Sequence, residues 1–298
     1  MKRPTKAIIA AAGFGTRFLP QTKAMPKEMM PIIDKPIIQI VVEELVAAGI
    51  KDIIIVGSSN KRSIEDHFDE PNEDLLANLR AGGEKKQPLI DMLGELSSLA
   101  NFIYIRQKGP YGNATPVLSA SHLLTPDEPF IYTWADDFFV ATPSRTAQLI
   151  ETSQMYNGSV YACKTVESEL EYTKYGIIAG ETIGEATMKV TKIVEKPGKD
   201  NAPSPLASVS SYLLDPSILG YIETAAESFD GNGEFTIQPI MQQMIDDGHP
   251  FFAREITDGR YYDTGDKLEY LKTVIDFGLR HEELGPELRT YMESQLRE

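Results

Sequence analysis

Apolar positions fall into two rhythms along the chain. Thr5 to Ala12 (TKAIIAAA) is a largely apolar run bounded by Gly13, and Asp52 to Val56 (DIIIV) is a second. Unbroken apolar runs of this length predict strands buried on both faces, as in a parallel sheet covered by helices. Between them Ile37, Ile38, Val41, Val42, Leu45 and Val46 recur at helical spacing, with Pro36 at the first helical position and Gly49 at the end. The first part of the chain therefore reads strand, loop, helix, strand, with an unusually long loop after the first strand.

The alternation continues. Residues 61–80 and 86–100 are helix-prone, Phe102 to Arg106 predicts a strand, 113–124 a helix, and Phe130 to Ala135 a strand ending at Asp136 and Asp137. Pro143 opens another helix. Strands then follow at 158–166, 175–180, 187–195 and 207–214, and helices at 215–227, 235–247 and 266–280. This order predicts an α/β protein: a Rossmann-like three-layer αβα sandwich with a mixed central sheet and a smaller antiparallel β layer. We expect one composite domain over residues 1–281 and a polar, helical C-terminal tail over 282–298.

Composition narrows the class. Of 298 residues 42% are apolar and 24% charged, the profile of a soluble globular protein. No apolar run approaches the roughly 20 residues of a membrane helix, so no membrane association is expected. Ala7 to Ala12 comes after Lys2, Arg3 and Lys6 as in a signal peptide, but the run is too short and Arg17 breaks the apolar character soon after it. The single cysteine, Cys163, excludes an internal disulfide and points to a reducing, cytoplasmic setting. His67, His122, His249 and His281 show no metal-ligand spacing, and no Gly-x-Ser-x-Gly elbow is present.

The net charge is −15, which argues against a nucleic-acid partner. Its distribution is uneven. Residues 1–35 carry Lys2, Arg3, Lys6, Arg17, Lys23, Lys27 and Lys35 against only Glu28 and Asp34. Such a segment is either a solvated basic surface or a pocket for a small polyanion. The loop after the first strand, Ala12-Gly13-Phe14-Gly15-Thr16-Arg17, bears on the choice. Gly13 and Gly15 let the backbone approach a ligand and expose N–H groups to phosphate, or else they only make a tight turn. Arg17 can bond phosphate bidentately, and Lys23 and Lys27 add point charges. The dinucleotide fingerprint fails, because its third glycine is replaced by Phe18. No Gly-Lys-Ser/Thr of a P-loop is present.

The stretch AGFGTRFLPQTKAMPKEMMPIIDKP, from Ala12 to Pro36, closely resembles the signature of sugar nucleotidyltransferases. The form PKEMMPIIDKP is most similar to the bacterial UTP–glucose-1-phosphate uridylyltransferases. Thymidylyl relatives typically carry glutamine where this chain has Glu28. The segment from Lys61 to Asp69 is also similar to the uridylyl group, and the resemblance extends to about residue 281.

The resemblance implies transfer of a uridylyl group from UTP to glucose 1-phosphate, giving UDP-glucose and pyrophosphate. It implies that Ala12, Gly13 and Gly15 contact the nucleotide, that Gln107 and Gly112 recognise its base, and that Arg17, Lys27 and Lys196 hold phosphates. Asp136 and Asp263 would bind Mg²⁺. Tyr175, Gly176, Glu195 and Glu234 would line the sugar site. A homo-oligomer is implied as well.

Three departures from the family pattern stand out. Gly112-Asn113-Ala114-Thr115-Pro116-Val117 replaces the usual G-L-G-H-A-V. Thr236-Ile237-Gln238-Pro239 replaces the usual L-T-D after Glu234. Asp137 takes a usually apolar position and reads as a surface charge rather than a spare metal ligand. Alternatives therefore stay open: the same chemistry with dTTP or another sugar 1-phosphate, a non-catalytic nucleotide-sugar sensor, or an interaction protein.

Overall fold

The computed structural model describes residues 1–296. Its centre is a nine-stranded mixed sheet, in the order β5 (Asn101–Arg106), β4 (Asp52–Gly57), β1 (Lys6–Ala11), β6 (Phe130–Trp134), β11 (Leu206–Leu214), β8 (Ser159–Thr165), β12 (Phe251–Glu255), β10 (Thr187–Glu195) and β9 (Gly176–Gly184). The strands β1, β4, β5 and β6 run parallel. β8, β9, β10, β11 and β12 form the mixed half. β11 lies antiparallel to β6 and β8, and its first residues also pair with β9. The apolar runs of β1 and β4 sit mid-sheet, buried on both faces, as unbroken Ile and Val sequences require.

Helices cover both faces. One core joins α1 (Ile37–Ala47) and α6 (Arg145–Tyr156) to the sheet through Val41, Leu45, Leu149 and Ile150. The other packs α5 (Thr115–Ala120), α7 (Ile218–Ser228) and α8 (Ile237–Asp246) through Val117, Ile222 and Met241. Pro36 precedes α1 instead of opening it; it belongs to a short ribbon of β2 (Pro31–Ile32) and β3 (Lys35–Pro36). The helix-prone stretch 61–80 divides into α2 (Arg62–Phe68) and α3 (Glu73–Ala81), with Pro71 in the break, and the stretch 86–100 forms α4 (Gln87–Ser97). α9 (Lys267–Arg280) and α10 (Gly285–Gln295) close the chain. α10 lies in the expected polar tail, whose last two residues, Arg297 and Glu298, are outside the described residues.

A separate two-stranded sheet pairs β7 (Asp137–Ala141) with β13 (Gly259–Asp263). This corrects the expectation for Asp137. It is 5% exposed, not a surface charge, and its carboxylate pairs with Arg145 at 3.3 Å. Arg145 is itself fully buried and also binds Glu44 of α1 through Nε (3.1 Å) and Nη2 (2.9 Å). Glu44 accepts two further bonds from the N–H and hydroxyl of Thr146. One guanidinium thus ties α1, α6 and the Asp136–Asp137 turn together. Removing one member of a buried charge cluster leaves the others unpaired. Arg145→Met should lower stability in urea unfolding by about 3–5 kcal/mol; a loss under about 1 kcal/mol would contradict this account of the cluster.

Candidate active site

The parallel strands deliver their carboxyl ends to one edge of the sheet. From β1 the chain steps outward to β4 and β5, then returns to the other side of β1 as β6. Strand order reverses between β1 and β6, and ligands of open α/β sheets bind in the crevice at such a point. Residues 12–15 leave β1 on one side of it, and Asp136 follows β6 on the other.

The long loop after β1 is fixed from within. Gly15 adopts φ +63, and a Cβ there would lie 3.0 Å from Thr22 and 3.1 Å from Lys27. The Thr22 hydroxyl donates to the Gly15 carbonyl at 2.7 Å. Phe18 is buried and meets Tyr270 of α9 edge-on. Lys61, from the start of α2, donates to the Gly13 carbonyl (2.6 Å) and to Glu28 (2.7 Å); both side chains of this pair are almost wholly buried. Burial raises the pKa of the Glu28 carboxyl, against the opposing pull of Lys61 and Lys27. Among the described residues Glu28 Oε1 has no hydrogen-bond partner.

Lys27 spans the crevice and forms an ion pair with Asp136. Burial works against its ammonium, but Asp136 and Glu28 outweigh this and raise its pKa. Beside that pair, Asp136 Oδ2 and Asp263 Oδ1 each lie 3.2 Å from where a Cβ on Gly265 would sit, and Arg17 Nη1 lies 3.7 Å away. A side chain at 265 would fill the space these three groups face. Arg17 donates to the Gly265 carbonyl (3.2 Å), and the N–H and hydroxyl of Thr264 donate to the Asp136 carbonyl (3.1 and 2.6 Å). Asp263 accepts from the Gly265 N–H (2.9 Å) and the Tyr175 hydroxyl (3.4 Å). Burial raises the Asp263 pKa, and the Asp136 charge adds to the rise.

An adjoining cleft of about 420 Å³ is lined by Ala12, Gly13, Lys27, Gln107, Gly112 and Glu234, with Glu28 and Trp134 also on its walls. Glu234, expected on the sugar side, therefore shares a cleft with the residues expected at the base. Tyr175, Gly176, Glu195 and Lys196 lie apart from it, on facing ends of β9 and β10. Gly176 pairs with Glu195, and a Cβ on the glycine would lie 3.0 Å from Glu195 Oε2. Lys196 holds φ +45, a strained value for a residue with a side chain, and the side chains of Glu195 and Lys196 are 60% and 58% exposed. The Tyr175 hydroxyl connects these strands to Asp263.

The model of the family described as nucleotidyl transferase matches residues 6–276. The chain belongs to the nucleotidyl transferase family. A relative from Bacillus subtilis (strain 168), a UTP–glucose-1-phosphate uridylyltransferase, is 41% identical over 296 residues, covering 99% of this chain and 98% of its own. A UDP-glucose pyrophosphorylase solved with UDP-glucose is 33% identical, with a TM-score of 0.81 over 93% of this chain and 100% of that one. A UTP-bound UGPase from Acinetobacter baumannii is 30% identical, with a TM-score of 0.84 over 97% and 98%.

In this nucleotidyl transferase Glu28 and Lys61 each stand in a stretch similar to the uridylyl group, but nothing along the chain pairs them, since they are 33 residues apart. The helix-prone stretch from residue 61 predicts α2, but its placement beside the loop after β1 is visible only in three dimensions. Lys61→Met strands a buried carboxyl beneath the loop and should cost about 3–5 kcal/mol in urea unfolding. Lys61→Met with Glu28→Leu should recover more than half of that loss. A double variant no more stable than the single one would contradict the pairing.

Proposed function

We propose that the chain transfers the uridylyl group of UTP to glucose 1-phosphate, forming UDP-glucose and releasing pyrophosphate. The observation that carries this reading is the meeting of Arg17, Lys27, Asp136 and Asp263 at the switch point, beside a cleft lined by Gln107 and Gly112. The Bacillus subtilis relative and the two solved structures, named for this reaction and for its nucleotides, support it.

A phosphate oxygen of glucose 1-phosphate forms a bond to the α-phosphorus of UTP. The bond from that phosphorus to the oxygen bridging to the β-phosphate breaks, and its electron pair leaves with pyrophosphate. The nucleophile is already ionised at neutral pH, so no strong general base is needed. Catalysis then rests on alignment and on charge. In this reading the backbone of Ala12, Gly13 and Gly15 faces the nucleotide, and Arg17 and Lys27 hold the triphosphate. The Gln107 amide offers a donor and an acceptor to the base edge, and Gly112 lets it approach. Tyr175, Gly176, Glu195 and Glu234 serve the sugar, and Lys196 its phosphate.

The oxygens of Asp136 and Asp263 fit Mg²⁺, which binds through one or two carboxylates and substrate phosphates while keeping several waters. When bound there, the ion would neutralise phosphate charge during transfer. Among the described residues no group of three or more His, Cys, Asp or Glu converges, so a site with a full set of protein ligands is not offered. We extend the reading to a cytoplasmic homo-oligomer. The single buried thiol of Cys163 and the exposed Leu268, Leu271 and Ile275 along α9 support that extension. Among the described residues no helix is long and apolar enough to cross a membrane.

The test is pyrophosphate release with Mg²⁺ across a grid of nucleoside triphosphates and sugar 1-phosphates. The dominant signal is expected at UTP with glucose 1-phosphate. A dominant signal with dTTP or another sugar would overturn the substrates but keep the reaction, and a blank grid with folded protein would overturn the reaction.

A further inference from the structure

The loop from Tyr111 to Ala114 and the loop from Glu234 to Gln238 are clasped together along one wall of the cleft. The Phe235 N–H donates to the Tyr111 carbonyl (2.8 Å), and the Ala114 N–H donates to the Phe235 carbonyl (3.0 Å). Between these bonds Gly112, at φ +148, presses so close that a Cβ would lie 2.1 Å from the Phe235 oxygen. Only glycine fits that contact.

Asn113 completes the clasp with its side chain. Its Oδ1 accepts from the N–H of Ile237 (2.8 Å), the first residue of α8, and its Nδ2 donates to Gln238 Oε1 (3.2 Å). Its carbonyl accepts from the buried Tyr132 hydroxyl of β6. The opening N–H groups of a helix need partners from outside it. Thr236, which precedes α8, gives no side-chain cap. Asn113 fills that role from a distant part of the chain, while its other amide atom binds the next side chain of the same helix.

We propose that Asn113 is a positioning residue for the nucleotide. By capping α8 from across the cleft it fixes Gly112 and Glu234, which line the same cavity, at one separation. The inference rests on the proposed uridylyl transfer. It predicts that loosening this clasp weakens nucleotide binding while leaving the phosphate-handling groups around Gly265 in place.

The experiment compares wild type, Asn113→Ala, Gln238→Met and the double variant by two readouts. The first is amide hydrogen exchange over residues 234–240 in the free protein. The second is KM for UTP against kcat. Asn113→Ala should speed exchange at Ile237 and raise KM for UTP by about five- to tenfold, the scale of a lost helix cap, with kcat within about threefold of wild type. Gln238→Met, which does not touch the cleft, should shift KM in the same direction by less. The double variant should fall short of the product of the two single effects, because both lose the Asn113–Gln238 bond. Unchanged exchange at Ile237, an unchanged KM, a fall in kcat alone, or KM effects that multiply in the double variant would each overturn the inference. A wild type inert with UTP would instead overturn the proposed reaction, and with it the nucleotide role of Asn113.

Discussion

Charge removed from water must find a counter-charge, and this requirement organises the edge of the sheet where the parallel strands end. The chain is strongly acidic, yet it brings Glu28, Asp136, Asp137 and Asp263 to one end of a few strands. Leaving such carboxylates buried and unpaired would cost several kcal/mol each. Lys61 answers Glu28, Lys27 answers Asp136, and Arg145 answers Asp137 together with Glu44. Each pair joins separate segments of the chain, so each also fixes geometry. The loop after β1 is tied to α2, to the end of β6 and, through Phe18, to α9.

That arrangement explains how a protein of net charge −15 can present a local site for polyanions. The cations of the first 35 residues are not all spread over a solvated surface; Lys27 and Arg17 converge on the switch point of the sheet. Lys27 has two claims on it. In the free protein its ammonium neutralises Asp136, and in the proposed reaction it must hold phosphate. The ammonium sits on Asp136 Oδ2, the oxygen that faces the space at Gly265, so in the proposed reaction it would have to move off that oxygen for Oδ2 to serve as a ligand. In the proposed reaction the triphosphate would draw the ammonium toward itself and so free that oxygen in the same movement.

Much of this was legible in the sequence. TKAIIAAA and DIIIV read as central strands because both of their faces are apolar, and the helical spacing of Ile38, Val41 and Leu45 placed α1. The short strands β7, β12 and β13 were not foreseen. Asp137 interrupts one apolar run, and β7 and β13 are defined only by pairing with each other across more than a hundred residues. The signature from Ala12 to Pro36 placed the loop, but not the buried lysine that supports it. The altered segments at Gly112–Val117 and Thr236–Pro239 looked like two separate departures. In three dimensions they meet through Asn113, Ile237 and Gln238. Contacts of that kind leave no periodic trace along the chain.

In the proposed reaction Lys27 holds Asp136 in the free protein and would give it up when nucleotide binds. Binding of Mn²⁺ as a paramagnetic probe, followed by electron paramagnetic resonance with and without UTP, tests it most directly. Wild type without nucleotide should bind Mn²⁺ at least about tenfold more weakly than Lys27→Met, since an adjacent ammonium opposes a second cation on the same carboxylate; UTP should strengthen binding to wild type. Equally tight Mn²⁺ binding by both free proteins, unaffected by UTP, would contradict the claim.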